Sequence, residues 1–162
     1  MTCQKTHIRA FAFVISVTLA LGVIGTAQTG DPGLGTWTLN VAKSKYMPGP
    51  APKSSTVSFS AAGAGIRAVI DAVGVDGSKL HWEYTANLDG KPSPVTGNPD
   101  GDMVMATRVN ATTIETRYTL KGKPTTTNRR VVSADGKTLT VTTTGVNAQG
   151  QKVTNVLVFE KS

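Results

Sequence analysis

The chain has 162 residues, 17 of them Lys or Arg and 10 Asp or Glu, for a formal net charge of +7. Its one cysteine, Cys3, excludes an intrachain disulfide and any cysteine-built metal centre. The basic residues are scattered, with Arg129-Arg130 the one adjacent pair, so the clustered patch that marks a nucleic-acid binder is missing and no nucleic-acid partner is expected.

The first element is a leader. Lys5, His7 and Arg9 form a basic opening, Ala10 to Gly25 is an uncharged apolar run, and Gly25-Thr26-Ala27 supplies the small residues of a cleavage site. This pattern predicts a signal peptide over 1–27, cut after Ala27, and a secreted or periplasmic product. An uncleaved anchor is the alternative, but the run is shorter than the roughly 20 apolar residues that span a bilayer. Cys3 precedes the run, so it is not a lipoprotein-type lipid carrier. Removing residues 1–27 leaves 135 residues, enough for one domain over 28–162. It also removes the sole cysteine, and with Lys5 and Arg9 gone the balance is 15 basic against 10 acidic residues, a net +5.

The remaining chain is punctuated by turn signals at Asp76-Gly77, Asp89-Gly90, Asp100-Gly101, Gly122, Asp135-Gly136 and Gly150. Between them, runs rich in Thr, Val, Ile and aromatics predict strands near 35–40, 55–61, 65–74, 79–87, 92–96, 103–109, 113–121, 125–133, 138–145 and 152–160. The stretch Lys43 to Lys53 is broken by prolines and holds at most one helical turn. Leu80, Trp82, Tyr84 and Ala86 share one face against His81, Glu83, Thr85 and Asn87. Ile114, Thr116, Tyr118 and Leu120 likewise oppose Glu115, Arg117 and Thr119. Such alternation fits antiparallel sheet with one buried side. The fold class is therefore all-β, an antiparallel up-and-down β-barrel of about eight to ten strands that closes its own edges, with a β-sandwich as the alternative.

Gly35-Thr36-Trp37-Thr38-Leu39-Asn40 resembles the Gly-x-Trp opening of lipocalins and fatty-acid-binding proteins. Asp135-Gly136-Lys137-Thr138-Leu139-Thr140-Val141, with Val158-Phe159-Glu160-Lys161, resembles the close of the fatty-acid-binding branch, and the chain after Ala27 is similar to small secreted bacterial lipocalin-like proteins. The resemblance implies a closed barrel holding a hydrophobic or amphipathic small molecule. Two departures accompany it. Fatty-acid-binding proteins end in an Arg-x-Tyr pair that grips the ligand carboxylate, whereas the matching positions are Leu157 and Phe159. Their two-helix lid is replaced here by the Pro-rich connection.

Chemistry is sparse. After Ala27 there is one histidine, His81, on a polar strand face, and a catalytic base needs a partnered geometry that no motif supplies. Asp71, Asp76, Asp89, Asp100, Asp102 and Asp135 fall mainly at turns, where they cap backbone. Asn98-Pro99-Asp100-Gly101-Asp102 has the look of a calcium loop, yet the position for its bidentate glutamate is Val109. No metal, cofactor or enzymatic turnover is expected. Asn110-Ala111-Thr112 matches a glycosylation sequon, and an Asn at a hairpin turn accounts for it equally.

Arg129-Arg130 is more informative, because strand neighbours face opposite ways. If Asp135-Gly136 is a two-residue hairpin turn, Val132 pairs with Leu139 and Arg130 with Val141, which puts Arg130 on the apolar face and Arg129 outside. A three-residue loop would exchange the two. A buried guanidinium needs a partner, either an acid such as Glu83 or the head group of an anionic ligand. The resemblance adds an inward arginine on the corresponding strand of fatty-acid-binding proteins. The candidate ligand-binding residues are Trp82, Tyr84, Tyr118, Arg130, Leu157 and Phe159, with Trp37 plugging the closed end. Two functions stand: an exported, non-enzymatic carrier of a small hydrophobic or amphipathic molecule, and a filled barrel presenting Thr138, Thr140, Thr142 and Thr144 to a cell-envelope protein. A hydrolase using His81 and Glu83 comes third.

Overall fold

The computed structural model describes residues 30–162, so the leader predicted over 1–27 lies outside the described residues. Ten strands follow one another: β1 (Gly35–Leu39), β2 (Ser54–Ala62), β3 (Gly65–Val73), β4 (Lys79–Asn87), β5 (Asp89–Thr96), β6 (Met103–Asn110), β7 (Thr113–Leu120), β8 (Lys123–Val132), β9 (Thr138–Val146) and β10 (Lys152–Lys161). Each pairs antiparallel with its neighbour in sequence, and β1 also pairs with β10 through Trp37↔Lys161 and Leu39↔Phe159. The sheet is thus a closed up-and-down barrel rather than a sandwich. Among the described residues no helix is long and apolar enough to cross a membrane.

The turns form where the chain supplies their chemistry. Asp76, Asp135, Asn110 and Asn147 each accept a hydrogen bond from the backbone N–H two residues on, at 2.9, 3.1, 3.0 and 3.1 Å. This short-range capping is what Asx residues offer a turn. Gly136 supplies the positive φ (68°) that the β8–β9 turn requires. Strand limits fall within about three residues of the sequence reading. The largest difference is β5, which starts at Asp89 because a register shift between Asp89 and Pro92 absorbs the Asp-Gly turn into the strand. Pro92 and Pro94 have no N–H to give, and β5 meets β4 through two register pairs, Glu83↔Thr96 and Tyr84↔Val95.

Alternation directs Trp37, Leu39, Val57, Phe59, Ile66, Ile70, Tyr84, Val104, Ile114, Tyr118, Leu139 and Phe159 inward, where they are buried. In an antiparallel meander the β1–β2, β3–β4, β5–β6, β7–β8 and β9–β10 connections share one end of the barrel. There the Pro-rich connection, which holds a single 3-10 turn (Val41–Lys43), runs beside β10: Lys45 bridges Val156 and the Thr154 N–H donates to the Met47 carbonyl at 2.8 Å. Asp100 and Asp102 tie the neighbouring turns together, accepting from the Ala148 and Lys121 N–H groups at 2.8 Å each. The Asn98–Asp102 segment is thus a turn tied down by backbone caps, and among the described residues no group of three or more His, Cys, Asp or Glu could hold a metal.

Candidate functional site

The barrel holds a cavity of about 610 Å³ that opens at the turn-rich end, within the usual range for a small-molecule site. One wall is apolar and aromatic, formed by Val57, Phe59, Ile66, Ile70, Trp82 and Tyr84 from β2 to β4. Tyr46, Pro48, Pro50 and Pro52 of the Pro-rich connection border it at the turn-rich end. Tyr84 and Tyr118 meet edge to face, ring centroids 6.3 Å apart. Burial pushes both phenols above their ordinary pKa, so they remain neutral.

Arg130 carries the charge of this interior. The β8–β9 register pairs it with Val141 and Val132 with Leu139, so it points inward while Arg129 is exposed. Its guanidinium lies 4.1 Å from the Phe59 ring centroid, a cation–π contact. Its acidic partner is Asp31, not Glu83. Nη2 of Arg130 donates to Asp31 Oδ2 at 3.1 Å, and Nη2 of Arg108 donates to the same oxygen at 3.0 Å. Glu83 follows the outward parity of β4 and pairs with Arg67 on the barrel exterior. Asp31 Oδ1 accepts from the Gly33 N–H at 2.7 Å. Burial opposes ionisation of this carboxyl, but the Gly33 bond and the two guanidinium charges outweigh it and hold its pKa below the ordinary value.

Compensation of Arg130 is incomplete. Its side chain is 7% exposed, yet Nε and Nη1 have no hydrogen-bond partner among the described residues. Burial lowers its pKa, and the Asp31 charge restores only part of the shift. Arginine stays protonated at any ordinary pH. A buried cation that lines the cavity therefore has donors to spare, a site for an anionic or acceptor group.

All six residues singled out from the sequence, Trp82, Tyr84, Tyr118, Arg130, Leu157 and Phe159, line this cavity. Trp37 does not: it is fully buried, donates its indole N–H to the Gly33 carbonyl at 2.9 Å, and carries the Lys161 ammonium 5.1 Å from its ring centroid. It packs the end where residues 30–34 enter. His81 lies outside the barrel, more than half exposed, with Nδ1 2.7 Å from Asp71 Oδ1. Asp71 is thus a strand residue rather than a turn cap.

The sequence reading passed over Asp31, Gly33, Phe59, Arg108 and Asn128. Asn128 shares the parity of Arg130 and was legible from it. Gly33 has a steric reason: a Cβ there would stand 3.0 Å from Arg130 Cζ, Arg130 Nη2 and Asp31 Oδ1. Gly33→Ala is expected to displace the guanidinium and lower stability by about 1–3 kcal/mol, the usual cost of overpacking. Denaturant midpoints check this, and an unchanged midpoint would show that the site yields freely.

No protein-family profile matches the chain, and no curated protein matches it. Among solved structures it aligns with a zebrafish ileal bile acid-binding protein complexed with cholic acid, at 12% sequence identity and a TM-score of 0.47, covering 81% of this chain and 99% of that one. A likeness of that degree assigns no ligand, and the architecture stands on the strand pairing itself.

Proposed function

We propose that this protein is an exported, non-enzymatic carrier whose barrel holds a small amphipathic molecule, its anionic head group on Arg130 and its apolar body against Trp82, Tyr84, Tyr118, Leu157 and Phe159. The observation that carries the reading is the half-partnered guanidinium on the wall of a mainly apolar cavity. An acid with a long hydrocarbon body satisfies both parts, since its carboxylate can accept from one of the two unused guanidinium N–H groups while its chain buries apolar surface. Export is supported by the leader pattern of residues 1–27. Kinship with lipocalin-like and fatty-acid-binding barrels is part of the same proposal. The second expectation, a barrel filled with side chains and used as an envelope-binding module, is weakened by the cavity volume.

Titration of the protein with octadecanoic acid is expected to quench tryptophan fluorescence saturably. The response should vanish in Trp82→Phe while calorimetry still detects binding, because Trp37 lies off the cavity wall. Absence of binding across long-chain acids, alcohols and aromatic compounds would sink the carrier reading.

A further inference from the structure

The cavity wall formed by β7 to β10 is not uniform. Register aligns Thr116 with Asn128, Asn128 with Thr143, and Thr143 with Asn155, and all four line the cavity. They make one continuous polar row across four strands. The adjacent row is Ile114, Arg130, Val141 and Leu157, apolar except for the guanidinium. Facing both is the apolar and aromatic wall of β2 to β4. The interior is therefore two-sided, with a charge at one level and neutral hydrogen-bonding groups at the next.

Within the polar row, Asn155 is already engaged, since its Oδ1 accepts from the Met47 N–H at 2.8 Å. Asn128 is not. Its Oδ1 is buried and has no hydrogen-bond partner among the described residues, like Nε and Nη1 of Arg130 two residues further along β8. Alternate residues of a strand lie roughly 7 Å apart on one face. The same strand thus presents unused donors and an unused acceptor about one short hydrocarbon segment apart.

From this juxtaposition we infer that the ligand is an acid with a second polar group: a long-chain carboxylic acid bearing a hydroxyl a few carbons from its head, read by Asn128 and flanked by Thr116 and Thr143. The inference rests on the carrier reading, with the carboxylate on Arg130. A plain methylene chain filling the cavity would leave the Asn128 oxygen unpaired, and a buried amide left unpaired is costly. A hydroxyl at that level restores the bond and donates its proton to Oδ1. The polar row then acts as a filter between hydroxylated and plain acids of equal length.

Calorimetry with octadecanoic acid and a set of monohydroxy octadecanoic acids differing in hydroxyl position tests this. The protein should bind at least one hydroxy acid about tenfold more tightly than octadecanoic acid, a preference in the range of one satisfied buried polar group. Asn128→Leu should reverse the order, weakening the hydroxy acid and strengthening the plain one, and Asn128→Ala should abolish the preference if the leucine variant fails to fold. Equal affinities for plain and hydroxylated acids, or a preference that survives both substitutions, would overturn the inference and leave the carrier reading standing. Failure of every acid to bind would overturn both.

Discussion

Asp31→Asn is expected to destabilise the barrel by about 3 kcal/mol at neutral pH, the lower end of the cost of leaving a buried charge uncompensated. The substitution keeps a side-chain acceptor for Arg108 and Arg130 but removes the negative charge on which both converge. The sign of the pH dependence follows from the depressed pKa of Asp31. A carboxyl lowered in the folded state contributes stability that is fully present above its unfolded value, about pH 4, and is lost as pH falls through the folded value. The gap between the two proteins should hold from neutral pH to about pH 5 and close under more acid conditions. Urea midpoints across this range are the measurement. A gap independent of pH would mean that packing, not charge, is what Asp31 supplies. Saturating long-chain acid should return part of the lost stability to the variant, since a ligand that binds only the folded state stabilises it by mass action.

Arg130→Met separates binding from folding. Asp31 keeps Arg108 and the Gly33 N–H after the change, and an unbranched apolar side chain fills the space beside Phe59. Breaking a buried pair is costly when it strands the other charge, but Arg108 keeps Asp31 paired, so stability should fall by only about 1–2 kcal/mol. Affinity for a long-chain acid, in contrast, should fall about 10- to 100-fold, the worth of hydrogen bonds to a charged group. The alcohol of the same length should bind as before or more tightly. Equal losses for acid and alcohol would show that Arg130 shapes the cavity without reading the head group.

The strands and their faces were legible because period-two alternation and Asp-Gly or Asn-based turns are local signals. The inward direction of Arg130 was legible from one hairpin register, and that register is the one observed. Its partner was not. Asp31 precedes β1 and is separated from Arg130 by 99 residues, in a stretch with no periodicity to report where it packs. Glu83 was attractive as an acid among inward aromatics, yet strand parity had already placed it outside with His81, and it is outside that it meets Arg67. The cavity itself could not be read, because inward residues of a barrel fill or line its interior according to their summed volume. Asn128 was within reach of the same parity argument, but its unpaired oxygen is a property of the assembled wall.

The seam between β1 and β10 differs from the other nine, each of which joins strands consecutive in the chain. Thr38 and Ser162, 124 residues apart, hydrogen-bond across this seam at 2.8 Å. By loop-closure entropy, bringing such distant segments together costs about 3 kcal/mol more than closing a four-residue turn. The ribbon of hairpins can form from local contacts, but the cylinder exists only once this latch engages. Asp31 lies just ahead of β1, and by gripping Arg130 from within it fastens the latch a second time. The charge that orients a cargo is thus also a rivet of the container, and a bound acid shares one guanidinium with the contact that keeps the cylinder shut.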